Sequence, residues 1–147
     1  MRFGLVGTGH WASTVHAPAL AARPDGAFAG VWGRTPERAS ALAQAHGVEA
    51  FPSASALFDA VDVVAFAVPP DVQAPLAVEA ARAGCHLVLE KPVALDVGAA
   101  DAVVAATREA GVRSVVFLTA RYVPEVAAWL ESAVASGPWL GGQATWF

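Results

Sequence analysis

The chain has 147 residues, enough for a domain that buries about two-thirds of its unfolded surface. Hydrophobic residues make up 56% and charged residues 15%, and Lys+Arg 9 against Asp+Glu 13 leaves a net charge of −4, with no basic stripe for a nucleic-acid backbone. No apolar run reaches the ~20 residues of a membrane span, the N-terminus lacks a signal-peptide layout, and the single cysteine, Cys85, excludes an intrachain disulfide, which together point to the cytoplasm.

The first predicted element is a strand over Arg2–Gly7 that turns sharply into a helix over His10–Ala22. At the turn, Gly7, Gly9 and Ala12 occupy the three small-residue positions of G-x-G-x-x-G/A. Gly7 permits the tight turn, Gly9 lets a pyrophosphate approach the backbone, and Ala12 lets the helix pack on the strand. Phosphates would sit on the N–H groups at the positive end of the helix. The motif follows an apolar strand and opens a βαβ pattern, so it predicts a dinucleotide site framed by Gly7, Thr8, Gly9, His10, Trp11 and Ala12. The bland alternative is a glycine-rich turn that holds no ligand.

Arg23-Pro24-Asp25-Gly26 is a turn, and Ala27–Gly33 is the second strand. A carboxylate for the adenosine ribose of NAD belongs about 20 residues past the glycine motif. That position falls on Gly33, followed by Arg34 and Thr35. With no carboxylate to repel it, a 2′-phosphate could pair with Arg34, which favours NADP over NAD. The other reading leaves Arg34 on the adenine or in solvent, with either nucleotide accepted.

Thr35 is an N-cap candidate with Pro36 at the first helical position, and the helix ends near His46 at Gly47. A short strand over Val48–Phe51 and a short helix over Ser53–Ala60 follow. Val61–Val68 is a continuous apolar run, as in a strand buried on both faces, ended by Pro69-Pro70. Next come a helix over Val72–Ala83 stopped by Gly84, a fifth strand over His86–Leu89, and a helix over Asp96–Ala110 closed by Gly111. Ser114–Thr119 is the sixth strand, and a last helix spans Val123–Ala135 before Gly137-Pro138. Alternating strands and helices imply an α/β fold with a parallel, doubly wound sheet. The end, Gly141–Phe147, reads as a further strand beginning.

Glu90-Lys91-Pro92 stands at the carboxyl end of the fifth strand, where open α/β sheets bind ligands. With Gly7-x-Gly9-x-x-Ala12, this tripeptide makes the chain resemble the Gfo/Idh/MocA oxidoreductases over its whole length. Ala67-Val68-Pro69-Pro70, the stretch from Ala80 through Pro92, Arg121 with Pro124, and Gly137–Gly141 match further family segments. The resemblance implies a Rossmann-fold NAD(P)-binding domain over 1–120. Residues 121–147 would be a connecting helix and the first strand of a second α/β domain. That second domain would supply substrate contacts, a dimer interface and an acid/base histidine, and it is expected to be missing from these 147 residues.

The reaction implied is hydride transfer between a nicotinamide and a carbinol carbon of a sugar, cyclitol or related diol. Lys91 would reach the nicotinamide and the substrate hydroxyl, where its ammonium stabilises negative charge on an alkoxide and can help move a proton. Glu90 would orient the turn or contact the cofactor. Pro92 favours extended backbone at Lys91, and a cis Lys91–Pro92 bond is implied by the resemblance. Gly33, Arg34 and Thr35 would meet the adenosine, and Val68, Pro69 and Pro70 would line the cofactor cleft. Glu90, Lys91 and Pro92 would stand at the reacting end, with Arg121 facing substrate. The family commonly has Asn after the first proline and His three residues later; here these are Pro70 and Gln73. That position is therefore not a metal ligand, and no metal site is expected.

Of the histidines, His10 is a loop residue near the phosphates, His16 packs, His46 closes a helix and His86 is satisfied structurally. Cys85 is inert. Trp11 edges the cofactor site, whereas Trp139 and Trp146 would pack on the second domain. The expected partners are a dinucleotide, a polyol or sugar-like substrate and a possible second copy, with no nucleic acid and no membrane. Two rivals stand beside the enzyme: a non-enzymatic NAD(P)-binding sensor or interaction module, and a product whose Trp139–Phe147 edge self-associates.

Overall fold

A computed structural model describes residues 1–24, 27–139 and 141. The chain divides into two compact units, Met1–Phe117 and Leu118–Phe147. The first is built on a six-stranded parallel sheet, ordered β3-β2-β1-β4-β5-β6. The strands are β1 (Phe3–Val6), β2 (Phe28–Trp32), β3 (Glu49–Ala50), β4 (Val63–Phe66), β5 (His86–Leu89) and β6 (Ser114–Val116). The helices are α1 (Ala17–Ala21), α2 (Pro36–His46), α3 (Ala54–Ala60), α4 (Pro70–Arg82) and α5 (Val97–Glu109). This is the doubly wound sheet that the alternating pattern predicts.

Side chains alternate between two apolar layers. Leu5 and Val31 face a core with Ala12, Ala17 and Leu42, from α2 and the helix after β1. Val6, Phe66, Leu87 and Leu89 face the opposite core with Leu57, Ala77 and Val103, from α3, α4 and α5. β4 is buried at all four positions, as a central parallel strand covered on both faces must be. Each large aliphatic or aromatic side chain so buried contributes about 1.5–3 kcal/mol. Alanines at helix positions such as Ala74, Ala77, Ala80 and Ala81 let α4 lie close to the sheet.

The observed strands are shorter than the apolar runs. Residues 61–68 give a strand only over Val63–Phe66, because Ala67 and Val68 already turn toward Pro69. The sixth strand stops at Val116, and a 3-10 turn covers Thr119–Tyr122. Pro70 does not merely end a strand; it occupies the first helical position of α4, where its missing N–H costs nothing. Ser53 and Asp96 cap α3 and α5 by accepting from the amides of Ala56 and Ala99. Thr35 stands at the α2 N-cap but makes no side-chain cap bond.

The helix after β1 is the largest departure from expectation. Residues Ala12–His16 form a π-helical turn that continues into α1. The Ala17 amide donates five residues back to the Ala12 carbonyl. Pro18 supplies the reason: it has no N–H for the carbonyl four residues earlier, and its ring collides with that carbonyl in a regular helix. The wider turn relieves the collision.

The second unit holds the 3-10 turn Thr119–Tyr122, α6 (Pro124–Ala135) and Trp139, whose Nε1–H donates to the Ala133 carbonyl at 2.6 Å. The Asp25-Gly26 end of the first turn, the expected strand past Gly141 and Trp146 lie outside the described residues. Among the described residues no helix is long and apolar enough to cross a membrane.

Candidate nucleotide site and lysine turn

Successive strands are added in one direction from β1 and in the other from β4, and at this switch point a cleft opens beyond the strand ends. It encloses ≈ 190 Å³ and brings together Gly7, Thr8, Gly9, Gly33, Arg34, Thr35, Val68 and Pro69 from the expected set. Trp32, Arg38, Ala67 and Val72 complete the lining. Gly7 is held from both neighbours: its N–H donates to Trp32 O at 2.9 Å, and Ala67 N–H donates to Val6 O at 2.8 Å. Its φ is 130°, and a Cβ there would run into the Ala67 carbonyl oxygen. A Cβ on Gly9, by contrast, would meet nothing within 4 Å. The turn is thus closed beneath Gly7 and open above Gly9.

The backbone ladder of the following helix begins with Ser13 N–H on Gly9 O at 3.0 Å. The amides just before Ser13 are left outside the ladder, as at any helix start. Ala12 is fully buried, which meets the packing demand on that position. His10 is exposed; its carbonyl accepts from the Ser13 and Thr14 hydroxyls. A Cβ on Gly33 would come to 2.6 Å from Thr8 Cγ2, so the β2 exit and the glycine turn pack directly on each other.

No carboxylate lines the cleft, and two guanidinium groups do. Arg34 comes from the β2 exit and Arg38 from the first turn of α2. Neither makes an ion pair among the described residues. Arg38 was not singled out in the sequence, although it follows Arg34 by four positions at a helix start, which is the signal that places both on one side.

The Glu90-Lys91-Pro92 turn follows β5 and does not line this cleft; neither do His10, Trp11, Ala12 or Pro70. The turn is fixed from two sides. Gln73 on α4 is fully buried. Its Oε1 accepts from Glu90 N–H at 2.9 Å, and its Nε2 donates toward the carbonyls of Glu90, Val93 and Pro92 at 2.9, 3.1 and 3.3 Å. The Glu90 carboxylate accepts from Trp11 Nε1–H at 2.8 Å, and His16 Nε2 stands 2.9 Å from the same oxygen. The Lys91–Pro92 bond is cis. Lys91 is exposed and makes no hydrogen bond or ion pair among the described residues, and it is the only lysine of the chain.

Two residues therefore do more than their sequence context suggested. His16 is buried, as expected of a packing residue, but it also bonds to Glu90. Gln73, noted in the sequence only as standing where the family commonly has His, joins the site through its amide. Trp11, expected at the edge of the cofactor site, meets the turn through its indole N–H. His86 is satisfied, with Nδ1 accepting from Arg113 N–H at 3.0 Å. Cys85 is buried, donates toward the Phe58 and Val61 carbonyls, and burial pushes its thiol up to about 11, with Asp62 and Asp59 adding to the shift. That is the environment of an unreactive thiol. Among the described residues no three His, Cys, Asp or Glu side chains are grouped to hold a metal.

Arg121 belongs to the second unit, where it borders an open hollow of ≈ 630 Å³ with Tyr122, Leu130 and Glu131.

Comparison with known proteins bears on the family and the fold. Residues 1–118 match the model of an oxidoreductase family described as having an NAD-binding Rossmann fold. UDP-N-acetylglucosamine 3-dehydrogenase from Acidithiobacillus ferrooxidans is 38% identical over 109 residues, which are 74% of this chain and 34% of that protein. A solved structure of the enzyme of that name superposes with a TM-score of 0.84 at 32% identity, over 90% of this chain and 43% of the other. A 3-ketoreductase from Actinomadura kijaniata, solved with TDP-benzene and NADP, gives a TM-score of 0.82 at 27% identity, over 92% of this chain and 43% of its own. The chain spans about a third of the length of the curated relative it matches.

Proposed function

The chain belongs to the Gfo/Idh/MocA oxidoreductase family, and from that membership we propose that it is the nucleotide-binding half of an NAD(P)-dependent dehydrogenase or reductase acting on a sugar, cyclitol or related diol. The observation that carries this reading is the placement of the glycine cleft and the Lys91 turn beyond the carboxyl ends of strands in one parallel sheet. The cleft suits a dinucleotide: it is open above Gly9, lies at a helix start, and carries positive charge without a carboxylate.

The amides of Gly9–Ala12 would hold the pyrophosphate. Arg34 and Arg38 would pair with a 2′-phosphate, each through charge-assisted hydrogen bonds that a lone ribose hydroxyl does not offer. This favours NADP, and the Actinomadura relative, solved with NADP, supports the same choice. When bound, the nicotinamide gives or takes the hydride. Lys91 would hold its ammonium against the substrate oxygen as that oxygen gains negative charge, and would pass or accept the hydroxyl proton. A sensor with the same fold would leave Lys91 without a task, which favours the enzyme.

Titration of tryptophan fluorescence with NADPH and NADH tests the nucleotide reading. NADPH is expected to bind at least ~10-fold tighter, since each decade is 1.4 kcal/mol and each charged hydrogen bond contributes ~1.5–3 kcal/mol. Equal dissociation constants would refute the NADP preference. No binding by folded protein would refute the site.

A further inference from the structure

We propose that Gln73 is a positioning residue for Lys91, and that its neutral amide is what makes the pose of that lysine independent of pH. The inference rests on the reading of Lys91 as the group at the reacting end. Four hydrogen-bond contacts run from one side chain to a segment of four residues: the N–H and carbonyl of Glu90, and the carbonyls of Pro92 and Val93. They bracket Lys91 on both sides of the chain without touching it.

The chemistry demanded of position 73 is specific. One atom must accept from an N–H, and another must donate to carbonyl oxygens. An amide does both in a fixed plane and stays neutral over the whole working range. The side chain is fully buried, so water cannot replace a lost partner. Lys91 itself has no partner among the described residues to hold it. Backbone therefore sets where the Lys91 side chain leaves the chain, and Gln73 is the side chain that bonds that backbone directly on both sides. Trp11 and His16 act at a different point, on the Glu90 carboxylate.

Gln73→Glu tests this with nearly no change in shape. The introduced carboxyl still accepts from Glu90 N–H. When ionised it points an anionic oxygen at three carbonyl oxygens; when protonated it can donate to one of them. Because Lys91 is the only lysine, reductive ¹³C-methylation places one reporter on an ε-amine, distinguishable by NMR from the α-amine. In the parent chain, saturating NADPH is expected to move the Lys91 methyl resonance, equally at mildly acidic and mildly alkaline pH. In Gln73→Glu, NADPH still binds, the Lys91 response is lost at alkaline pH, and it returns on acidification.

A purely structural role would lower the melting temperature and leave the Lys91 response of folded protein unchanged. That result, or a parent-like response at every pH, overturns the proposal. A parent chain that binds NADPH with no Lys91 response overturns the reading of Lys91 instead, and the proposal with it. A measurement on the parent chain guards against a variant that fails to fold. The Glu90 amide should be protected from hydrogen exchange, and exchange at the rate of a free amide would overturn the Gln73 contact directly.

Discussion

Alanine at Gly7 and alanine at Gly9 are the same chemical change two residues apart, and they are expected to fail in opposite ways. At Gly7 the φ of 130° lies where L side chains rarely go, and the new methyl collides with the Ala67 carbonyl while standing 3.2 Å from Val68 Cγ1. That carbonyl cannot yield easily, because the Ala67 amide is fixed to Val6 in the sheet and the Gly7 amide to Trp32. The conformational term costs about 1–3 kcal/mol, and forcing a methyl into a filled space adds ~1–3 kcal/mol. A loss of roughly 3 kcal/mol should lower Tm by ~10 °C in a unit of this size. At Gly9 the methyl meets nothing, so stability should stay within ~0.5 kcal/mol of the parent. If the pyrophosphate occupies that space, the NADPH dissociation constant rises ~10-fold or more, as for any forced overlap of 1–3 kcal/mol. Thermal melting and fluorescence titration of both variants separate the two effects. Parent-like melting of Gly7→Ala would show that the Ala67 carbonyl is free to move. Parent-like binding by Gly9→Ala would show that no phosphate approaches there.

Arg34→Ala and Arg38→Ala should each weaken NADPH ~10-fold or more while leaving NADH nearly unchanged, because each removes a charged hydrogen bond worth about 1.5–3 kcal/mol; equal losses for the two nucleotides by titration would remove both arginines from 2′-phosphate recognition. Glu90→Ala strips the acceptor from Trp11 and from buried His16, and orphaning a buried polar group should cost ~1–3 kcal/mol in chemical denaturation; an unchanged midpoint would mean that this bridge is not formed. Cys85 has its thiol raised from 9.0 to about 11 in the folded chain. The folded state therefore holds its proton where the unfolded chain has lost it. The stability linked to this thiol is complete below pH 9 and is lost as pH climbs toward 11. Cys85→Ser or Cys85→Ala should flatten that alkaline decline in urea unfolding, and an identical decline would assign it to other groups.

The fold was readable because its signals are local. An apolar run, a proline at a helix start and a glycine at a helix end each act through neighbours in sequence, and together they gave the strand and helix order. The glycine cleft was readable for the same reason, since Gly7, Thr8 and Gly9 are one turn and Gly33, Arg34 and Thr35 are another. What stayed hidden depends on distant partners. Gln73 meets its partners 17 to 20 positions away in sequence, and His16 meets Glu90 across 74. Neither distance has a periodicity. The π-turn at Ala12–His16 was also missed, although its cause, Pro18, stands in plain view. A proline announces that a regular helix cannot pass; it does not say whether the chain will break, kink or widen.

These hidden contacts explain how one turn can present an uncompensated cation. A glutamate beside the only lysine would ordinarily be its nearest counter-charge. Here the Glu90 carboxylate is taken up by Trp11 and His16, and the backbone on either side of Lys91 is taken up by Gln73. One carboxylate oxygen of Glu90, its backbone N–H and three carbonyls of the turn therefore have partners other than the ammonium. Fixing a dipole or charge before the reaction starts spares the reorganisation that water would need to supply the same stabilisation. The same logic explains the location of Trp11. It is the residue before Ala12, whose burial seats the helix after the glycine turn on the sheet, and its indole N–H donates to the carboxylate beside Lys91. A displacement of that helix would pull on the lysine turn through the contacts of Trp11 and His16 with Glu90.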